Sequence, residues 1–206
     1  MRQINLLDIR LFALILLALS GCANLKTAKI PAPQNSFAVC YGYGCHTVQQ
    51  ISLSEQQWSF IETLFIPLAD NAQIERQQLA RAIAQMEHIA GAKTGTQDDL
   101  PGTFEALFQN TSHQMDCVDE ATNTTLYLKM FRQRGLMRFH REGPRINRGF
   151  FFNGWPHTSA VITNSHTGEK FAVDTWFYKN GVQPEIVPIK LWYSGWHPKP
   201  KALSKD

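Results

Sequence analysis

The sequence predicts an α+β domain in which N-terminal helices pack on a C-terminal antiparallel β-sheet. Two observations predict this class. Between residues 54 and 135, apolar residues recur every three or four positions, the spacing that places side chains on one face of a helix. After Gly135 the apolar segments are short, rich in aromatic and β-branched residues, and separated by Gly, Pro or Asn, which is typical of strands. Helices that precede strands, rather than alternating with them, favour the α+β class.

The first 21 residues have the organisation of an export signal. Two arginines precede an apolar run over residues 11–19, and the small residues Ser20 and Gly21 follow. The run is shorter than the roughly 20 residues that a membrane-spanning helix needs. Cys22 comes directly after Ser-Gly and resembles the lipidated cysteine of bacterial lipoproteins, which becomes the N-terminus of the mature chain.

This resemblance implies a protein anchored by lipid to the membrane, on the periplasmic side of the cell envelope. In that family an aspartate directly after the cysteine retains the protein in the inner membrane. Ala23 takes that place here, so we expect the outer membrane. The alternative is an ordinary signal peptide with a coincidental cysteine. Residues 22–36 are polar and contain proline, which favours a flexible tether, and residues 37–206 are enough for one domain with its own core.

The charge of the chain limits the class of partner. The formal net charge is only +3, and no run of basic residues alternates with aromatic residues. Both features argue against a nucleic-acid partner. The remaining partners that the sequence predicts are the membrane, through the lipid, and a peptide or amide-containing substrate in the envelope.

The cysteines after Cys22 differ in their surroundings. Cys40 and Cys45 are five residues apart with two glycines between them, which allow a tight turn. Because exported proteins meet an oxidising compartment, we predict a Cys40–Cys45 disulfide, which leaves Cys117 as a candidate reactive thiol. The same segment also fits a rarer haem-attachment spacing, CxxxxCH, in which His46 would be an axial ligand. We favour the disulfide, and no cofactor is expected.

Two helices are predicted between residues 54 and 91. The first begins with a capping box formed by Ser54 and Gln57, and Pro67 follows its end. The second begins after Asp70 or Asn71. We predict that it ends at Gly91, because glycine often follows the last turn of a helix.

The third predicted helix begins at Cys117 and ends at Gly135. Five of its side chains share one face, at steps of four, three, four and three residues: Cys117, Ala121, Thr124, Leu128 and Phe131. Asp116 and Asp119 lie on either side of the thiol. Carboxylates at this position are ordinary capping residues, although their negative charge acts against a low thiol pKa.

Five strands are predicted after Gly135, in the segments LMRFHRE, GFFFNG, HTSAVIT, KFAVDTWF and EIVPIKLW. The polar loop at residues 164–168 joins HTSAVIT to KFAVDTWF, so these two segments predict a hairpin. His157 opens the first strand and Asp174 lies near the end of the second. Because the start of one hairpin strand lies beside the end of the other, we expect these two side chains to be neighbours.

Cys117, His157 and Asp174 together suit nucleophilic catalysis. Free N–H groups at a helix N-terminus favour a thiolate, so we expect a lowered pKa for Cys117. His157 would act as base and acid, and Asp174 would orient its ring. A backbone N–H near Cys117 would hold an oxyanion, with Gln114 or Gln109 as candidate side-chain donors.

The segments that carry these residues resemble a known family. MDCVDEA resembles the cysteine segment of the transglutaminase-like fold, where a (G/N)-x-C-x-(D/E)-x-A pattern opens the catalytic helix. WPHTSAVI and EKFAVDTWF resemble its histidine and aspartate strands, in the same order. The resemblance covers about residues 70–178 and is to bacterial transglutaminase-like cysteine proteinases, which implies a papain-like architecture. It implies that Cys117 is the nucleophile, His157 the base and acid, and Asp174 the orienting residue.

The sequence therefore predicts a thiol-dependent acyl-transfer enzyme, a cysteine peptidase or amidase acting on amide or isopeptide bonds. One alternative is a non-catalytic envelope lipoprotein that uses the same fold, with residues 180–200 as a partner surface. Another is a transglutaminase that cross-links proteins. The three candidate residues could instead bind zinc, although no CxxC or HxxxH spacing supports that. Trp155 and Trp176 pack the sheet or line the substrate groove.

Overall fold

The computed structural model describes residues 35–104, 112–149 and 156–199. In these residues the strands are β1 (Ser36–Tyr41), β2 (Thr47–Ser52), β3 (His140–Glu142), β4 (Ile146–Arg148), β5 (His157–Asn164), β6 (Lys170–Val173) and β7 (Ile186–Pro188). The helices are α1 (Glu55–Thr63), α2 (Ala72–Thr94), α3 (Cys117–Gln133) and α4 (Ile189–Tyr193). Helices precede an antiparallel sheet, so the predicted α+β class is confirmed.

Strand β5 is the centre of the larger sheet. Strand β4 pairs with its first half and β3 with its second half, while β6 lies on its other side and β7 continues the sheet from β6. All of these pairings are antiparallel, and β5 and β6 form the predicted hairpin. The segment EIVPIKLW is only partly a strand, because α4 begins at Ile189. The predicted strand GFFFNG falls largely outside the described residues.

Helix α1 confirms the predicted capping box. The Ser54 side chain accepts from the N–H of Gln57, whose side chain accepts from the N–H of Ser54. Helix α2 begins after the N-cap Asn71, but its predicted end at Gly91 is wrong: the helix continues to Thr94. Gly91 serves close packing instead, because a Cβ there would lie 2.6 Å from Nδ2 of Asn180.

Helix α3 begins and ends where the sequence predicts. Its N-cap is Asp116, and Gly135 follows its end with a φ of 73°. Four side chains of the predicted face are buried: Ala121, Thr124, Leu128 and Phe131. The helix contacts β5, β1, β3 and α2, and its apolar side chains join a core that includes both sheets. Cys117 is therefore carried by the central helix of the domain.

The β1–β2 hairpin was not predicted from the sequence. Phe37 and Val39 on β1 and Ile51 on β2 are buried in the main core. This alternation is visible in the sequence, but the segment is short and adjoins the polar tether. The hairpin brings the loop at residues 42–46 next to the start of α3, because Gly42 donates to the carbonyl of Gln114 over 2.8 Å.

A buried carboxylate fixes the beginning of the larger sheet to α2. Glu75 is fully buried and accepts from the N–H groups of Arg138, Phe139 and His140 and from Nδ1 of His140 at 2.9 Å. Burial acts to raise the pKa of Glu75, but the hydrogen bonds from His140 and from the backbone outweigh it, and the pKa is lowered. The carboxylate is therefore ionised and structural.

We expect Glu75→Gln to destabilise the fold by about 2 kcal/mol at pH 7, because an amide leaves buried N–H donors without an acceptor. Since the folded pKa lies below the ordinary value, the stabilisation is present above the ordinary carboxyl pKa and is lost as pH falls through the folded pKa. Thermal unfolding at pH 7 and pH 3 measures this. Glu169→Gln, on an exposed residue, is the control. Equal melting temperatures for Glu75→Gln and the wild type at pH 7 would contradict the assignment.

Candidate functional site

Cys117 is the first residue of α3 and lies beside the start of β5. It is partly buried and is the free cysteine of the described residues. The backbone N–H and the hydroxyl of Thr158 act to lower the pKa of its thiol. Cys117 and His157 line the same cavity, whose volume is about 470 Å³. The structure therefore brings the thiol and the imidazole to one site.

His157 and Asp174 are joined directly. Nε2 of His157 lies 2.7 Å from Oδ2 of Asp174, and both side chains are buried. The β5–β6 register pairs Ala160 with Val173. Asp174 follows Val173 at the end of β6, and this end of β6 lies beside the start of β5, where His157 is. Because a carboxylate only accepts, Nε2 carries a proton. The other ring nitrogen, Nδ1, is buried and has no partner among the described residues.

Aromatic side chains enclose the imidazole. The ring centroid of His157 lies 4.6 Å from that of Trp176, 5.2 Å from that of Phe177 and 5.6 Å from that of Trp192. Trp176 also lines the cavity, and its Nε1 donates to the carbonyl of Thr103. This enclosure limits the ring to one orientation and keeps water away from the His157–Asp174 hydrogen bond. The second groove candidate, Trp155, lies outside the described residues.

Trp192 is a site residue that the sequence analysis assigned only to packing. Its indole Nε1 donates to Oδ2 of Asp174 at 2.6 Å, the same oxygen that His157 contacts. Arg148 lies over its ring at 4.5 Å and donates to its carbonyl. Because Trp192 is 18 residues from Asp174 and follows another strand, no local sequence pattern indicates this contact.

The thiol pKa differs from the sequence-based expectation. Burial raises the pKa of Cys117, and the negative charges of Asp116 and Asp174 raise it further. Hydrogen bonds from Thr158 act in the opposite direction but do not outweigh burial. The expected lowering by the helix N-terminus is therefore wrong for this resting structure, and the thiol is protonated at neutral pH.

The predicted disulfide is confirmed, and it lies next to the thiol. Cys40 and Cys45 are bonded, and the loop between them has positive φ angles at Gly42, Tyr43 and Gly44 as well as at Cys45 itself. Successive residues of this kind turn their N–H groups to one side, which makes an anion-binding concavity. The haem alternative needs free thiols at Cys40 and Cys45, and here the two sulfurs are bonded to each other.

Asp116 and Asp119 bind that loop. The N–H groups of Tyr43 and Cys45 donate to Asp119, and the N–H of Gly44 donates to Asp116. Asp116 also caps α3 by accepting from Val118 and Asp119. Burial and the charge of Asp116 raise the pKa of Asp119 to about 6. The acidic residues on either side of Cys117 are thus structural, as their capping pattern indicates.

Gln114, one of the two oxyanion candidates from the sequence, is not among the described residues that line the cavity. Gln114 accepts from the N–H of Leu100 at 3.0 Å and donates to the carbonyl of Asp98, so its amide holds a neighbouring loop. Gln109 lies outside the described residues, as does Cys22. In the first turn of α3, the side chain of Asp116 accepts hydrogen bonds from the N–H groups of Val118 and Asp119. The N–H of Cys117, in the same turn, donates no hydrogen bond to the side chain of the N-cap residue Asp116.

The zinc alternative requires three converging ligands. Among the described residues, the ligand atoms that lie within 4.8 Å of one another are those of Cys40, Cys45 and Asp119. Their two sulfurs form the disulfide, so this group offers no free thiolate. Cys117 belongs to no such group in the described part of the chain.

Three buried carboxyl groups lie behind the site and were not predicted. Glu120 accepts from Thr175 at 2.6 Å, Asp99 accepts from the N–H of Met115 at 2.6 Å, and Glu87 accepts from the N–H of Gly181 at 3.1 Å. Asp99 and Glu120 also share a side-chain hydrogen bond. Burial raises the pKa of all three, to about 8 for Glu87, to about 7 for Asp99, and well above the ordinary value for Glu120.

Comparison of the chain with protein-family models, with curated proteins and with solved structures finds no match. The family resemblance of the MDCVDEA segment therefore stays a prediction. In the part of the chain that the structure describes, no helix combines the length and the apolar character of a membrane span.

We expect iodoacetamide to alkylate Cys117 more slowly than free cysteine at pH 7, because its raised pKa leaves little thiolate. Asp116→Asn should lower the pKa of Cys117 and speed alkylation, since it removes a negative charge while asparagine remains a good N-cap. Mass spectrometry of the Cys117 peptide from pH 5 to 10 measures both. Asp70→Asn, at an exposed position, is the matched control. Alkylation of wild type faster than free cysteine at pH 6 would overturn this reading.

We expect Glu87→Gln to flatten the pH dependence of stability. A carboxyl group whose folded pKa is raised stabilises the protonated fold below its ordinary pKa, and this stabilisation is lost as pH rises through about 8. The cost is at most about 1.4 kcal/mol for each pH unit in that window. The fall in melting temperature from pH 6 to pH 9 should shrink by roughly 3–8 °C in the variant. An unchanged fall, with Glu169→Gln as control, would show that Glu87 is ionised at neutral pH.

Proposed function

We propose that this protein is a thiol-dependent acyl-transfer enzyme, a cysteine peptidase or amidase that acts on amide or isopeptide bonds. The observation that carries this proposal is the state of His157. Its Nε2 is hydrogen-bonded to Asp174, and its Nδ1 is buried without a hydrogen-bond partner among the described residues. The His157 side chain also lines the cavity that contains the free thiol of Cys117. A buried nitrogen without a partner is costly in a purely structural histidine.

The proposed reaction begins at the thiol of Cys117. As the sulfur of Cys117 attacks the substrate carbonyl, its proton passes to Nδ1 of His157, and Asp174 stabilises the resulting imidazolium. The same proton then goes to the leaving amine, which departs and leaves an acyl group on Cys117. Water, deprotonated by His157, attacks this thioester. The C–S bond breaks, the acid leaves, and the proton returns from His157 to the sulfur of Cys117. The N–H of Cys117 is the proposed donor to the oxyanion.

The raised thiol pKa fits this order of events. A protonated thiol reacts little with stray electrophiles, and proton transfer is coupled to attack on a bound carbonyl. The aromatic enclosure of His157 strengthens its hydrogen bond to Asp174, because electrostatic interactions are stronger where water is excluded. An amine in place of water would give cross-linking, which shares every step up to the acyl-enzyme. Hydrolysis is the simpler proposal, since water is abundant.

The wider context of the proposal comes from the sequence. A cysteine at the start of a helix, with histidine and aspartate on two antiparallel strands, supports a transglutaminase-like or papain-like core. The disulfide fits the oxidising periplasmic compartment that the Cys22 motif predicts. We accordingly propose a substrate in the cell envelope and a lipid anchor, with the outer membrane as the expected location.

A non-catalytic binding lipoprotein is the second candidate. The raised pKa of Cys117 fits this candidate as well, because a protonated thiol is also what a structural cysteine shows. In that case the cavity would bind a ligand without turnover, and Cys117→Ala would leave binding unchanged.

Trapping an acyl adduct on Cys117 from an envelope extract tests the enzyme proposal. The purified wild type should gain a discrete mass on the Cys117 peptide, and Cys117→Ala should not. His157→Ala should slow adduct formation by roughly 10²- to 10⁴-fold, the usual contribution of general acid–base catalysis. His166→Ala, on an exposed loop, is the matched histidine control and should behave as the wild type. An adduct that forms equally in His157→Ala would exclude the proposed base.

A further inference from the structure

A second cavity lies beside the first turn of α3. Its volume is about 510 Å³, and it is lined by Val118, Thr125, Pro144, Arg145, Asn147 and Thr158. Three of these residues are next in sequence to residues of the first cavity, since Val118 follows Cys117, Thr158 follows His157, and Asn147 precedes Arg148. The two cavities therefore share the same backbone as their common wall.

Strand geometry explains this arrangement. Strands β4 and β5 pair Arg148 with His157 and Asn147 with Thr158. Because successive side chains of a strand point to opposite faces, the first pair lines the cavity of the imidazole and the second pair lines the new cavity. Thr158 donates to Oδ1 of Asn147 at 2.7 Å, which closes the wall between them.

The wall also touches the sulfur. Thr158 lies close enough to the sulfur for its N–H to act on the pKa of Cys117, and the same residue lines the second cavity. A substrate carbonyl at the sulfur thus has one cavity on each side. His157 must protonate the leaving amine, so the leaving group belongs to the cavity that His157 lines. The acyl portion then belongs to the second cavity.

The second cavity has a cationic lining. None of the described residues that line it is acidic, and Arg145 has no ion pair with any described residue. The guanidinium is held in place, since its Nη1 donates to Oγ1 of Thr122 and lies 3.5 Å from the carbonyl of Val118. The remaining N–H groups of a guanidinium match the two oxygens of a carboxylate.

We propose that this cavity is the acyl-side subsite and that it selects substrates whose acyl portion carries a carboxylate, with Arg145 as the specificity-determining residue. This inference rests on the proposed function, because it assigns the two sides of a scissile amide. Aspartyl and glutamyl acyl groups joined through the side-chain carbonyl have this chemistry, since their α-carboxyl group remains free.

The test uses two p-nitroanilides, one with a glutaryl group and one with its uncharged methyl ester. We expect kcat/KM to favour the glutaryl compound by roughly 10- to 100-fold, the usual contribution of hydrogen bonds to a charged group. Arg145→Gln should bring the two values within about twofold of each other. Arg141→Gln, an exposed arginine on β3, should keep the preference. Equal values in the wild type, or a preference that survives in Arg145→Gln, would overturn the subsite.

Binding to Cys117→Ala separates this inference from the proposed function. Calorimetry with the glutaryl anilide should show affinity that falls at least tenfold when Arg145→Gln is added. Binding of this kind without turnover by the wild type would support the subsite and reject the enzyme. Turnover without charge preference would support the enzyme and reject the subsite. Absence of both binding and turnover would reject the subsite.

Discussion

The position of the thiol depends on two carboxylates, each of which accepts hydrogen bonds both from the start of α3 and from the loop at residues 42–46. Asp116 caps α3 and accepts from Gly44, and Asp119 completes the capping box while it accepts from Tyr43 and Cys45. These hydrogen bonds join the first turn of the central helix to a loop that the disulfide closes. Because Cys117 stands between the two aspartates, its backbone is fixed by contacts that its own side chain does not make.

Competition between burial and local dipoles decides the chemistry of the site. A helix N-terminus favours a thiolate, but burial and two nearby carboxylates favour the thiol, and they prevail. The same low-dielectric environment raises the pKa of Glu87, Asp99 and Glu120, so much of the acidic layer behind the site is protonated at neutral pH. Under the proposed function, the Cys117 thiol therefore stays protonated until a substrate binds.

Features that depend on nearby residues could be predicted from the sequence, and features that depend on distant ones could not. The Ser54 capping box, the Cys40–Cys45 disulfide and the β5–β6 hairpin are local, and all three are confirmed. Gly91 and Trp192 act through residues brought near by the fold, so the helix end was misplaced and the indole contact was missed. The thiol pKa was wrong for the same reason, because burial is set by the whole fold.

The hairpin that carries His157 and Asp174 has a consequence for assembly. The imidazole and its carboxylate are separated by only 17 residues, so a single hairpin brings them together. The sulfur is 40 residues before the imidazole in the chain and reaches it only when α3 docks on β5. If the chain crosses a membrane unfolded, it therefore travels with its nucleophile and its base apart, and the reactive couple arises only at the destination.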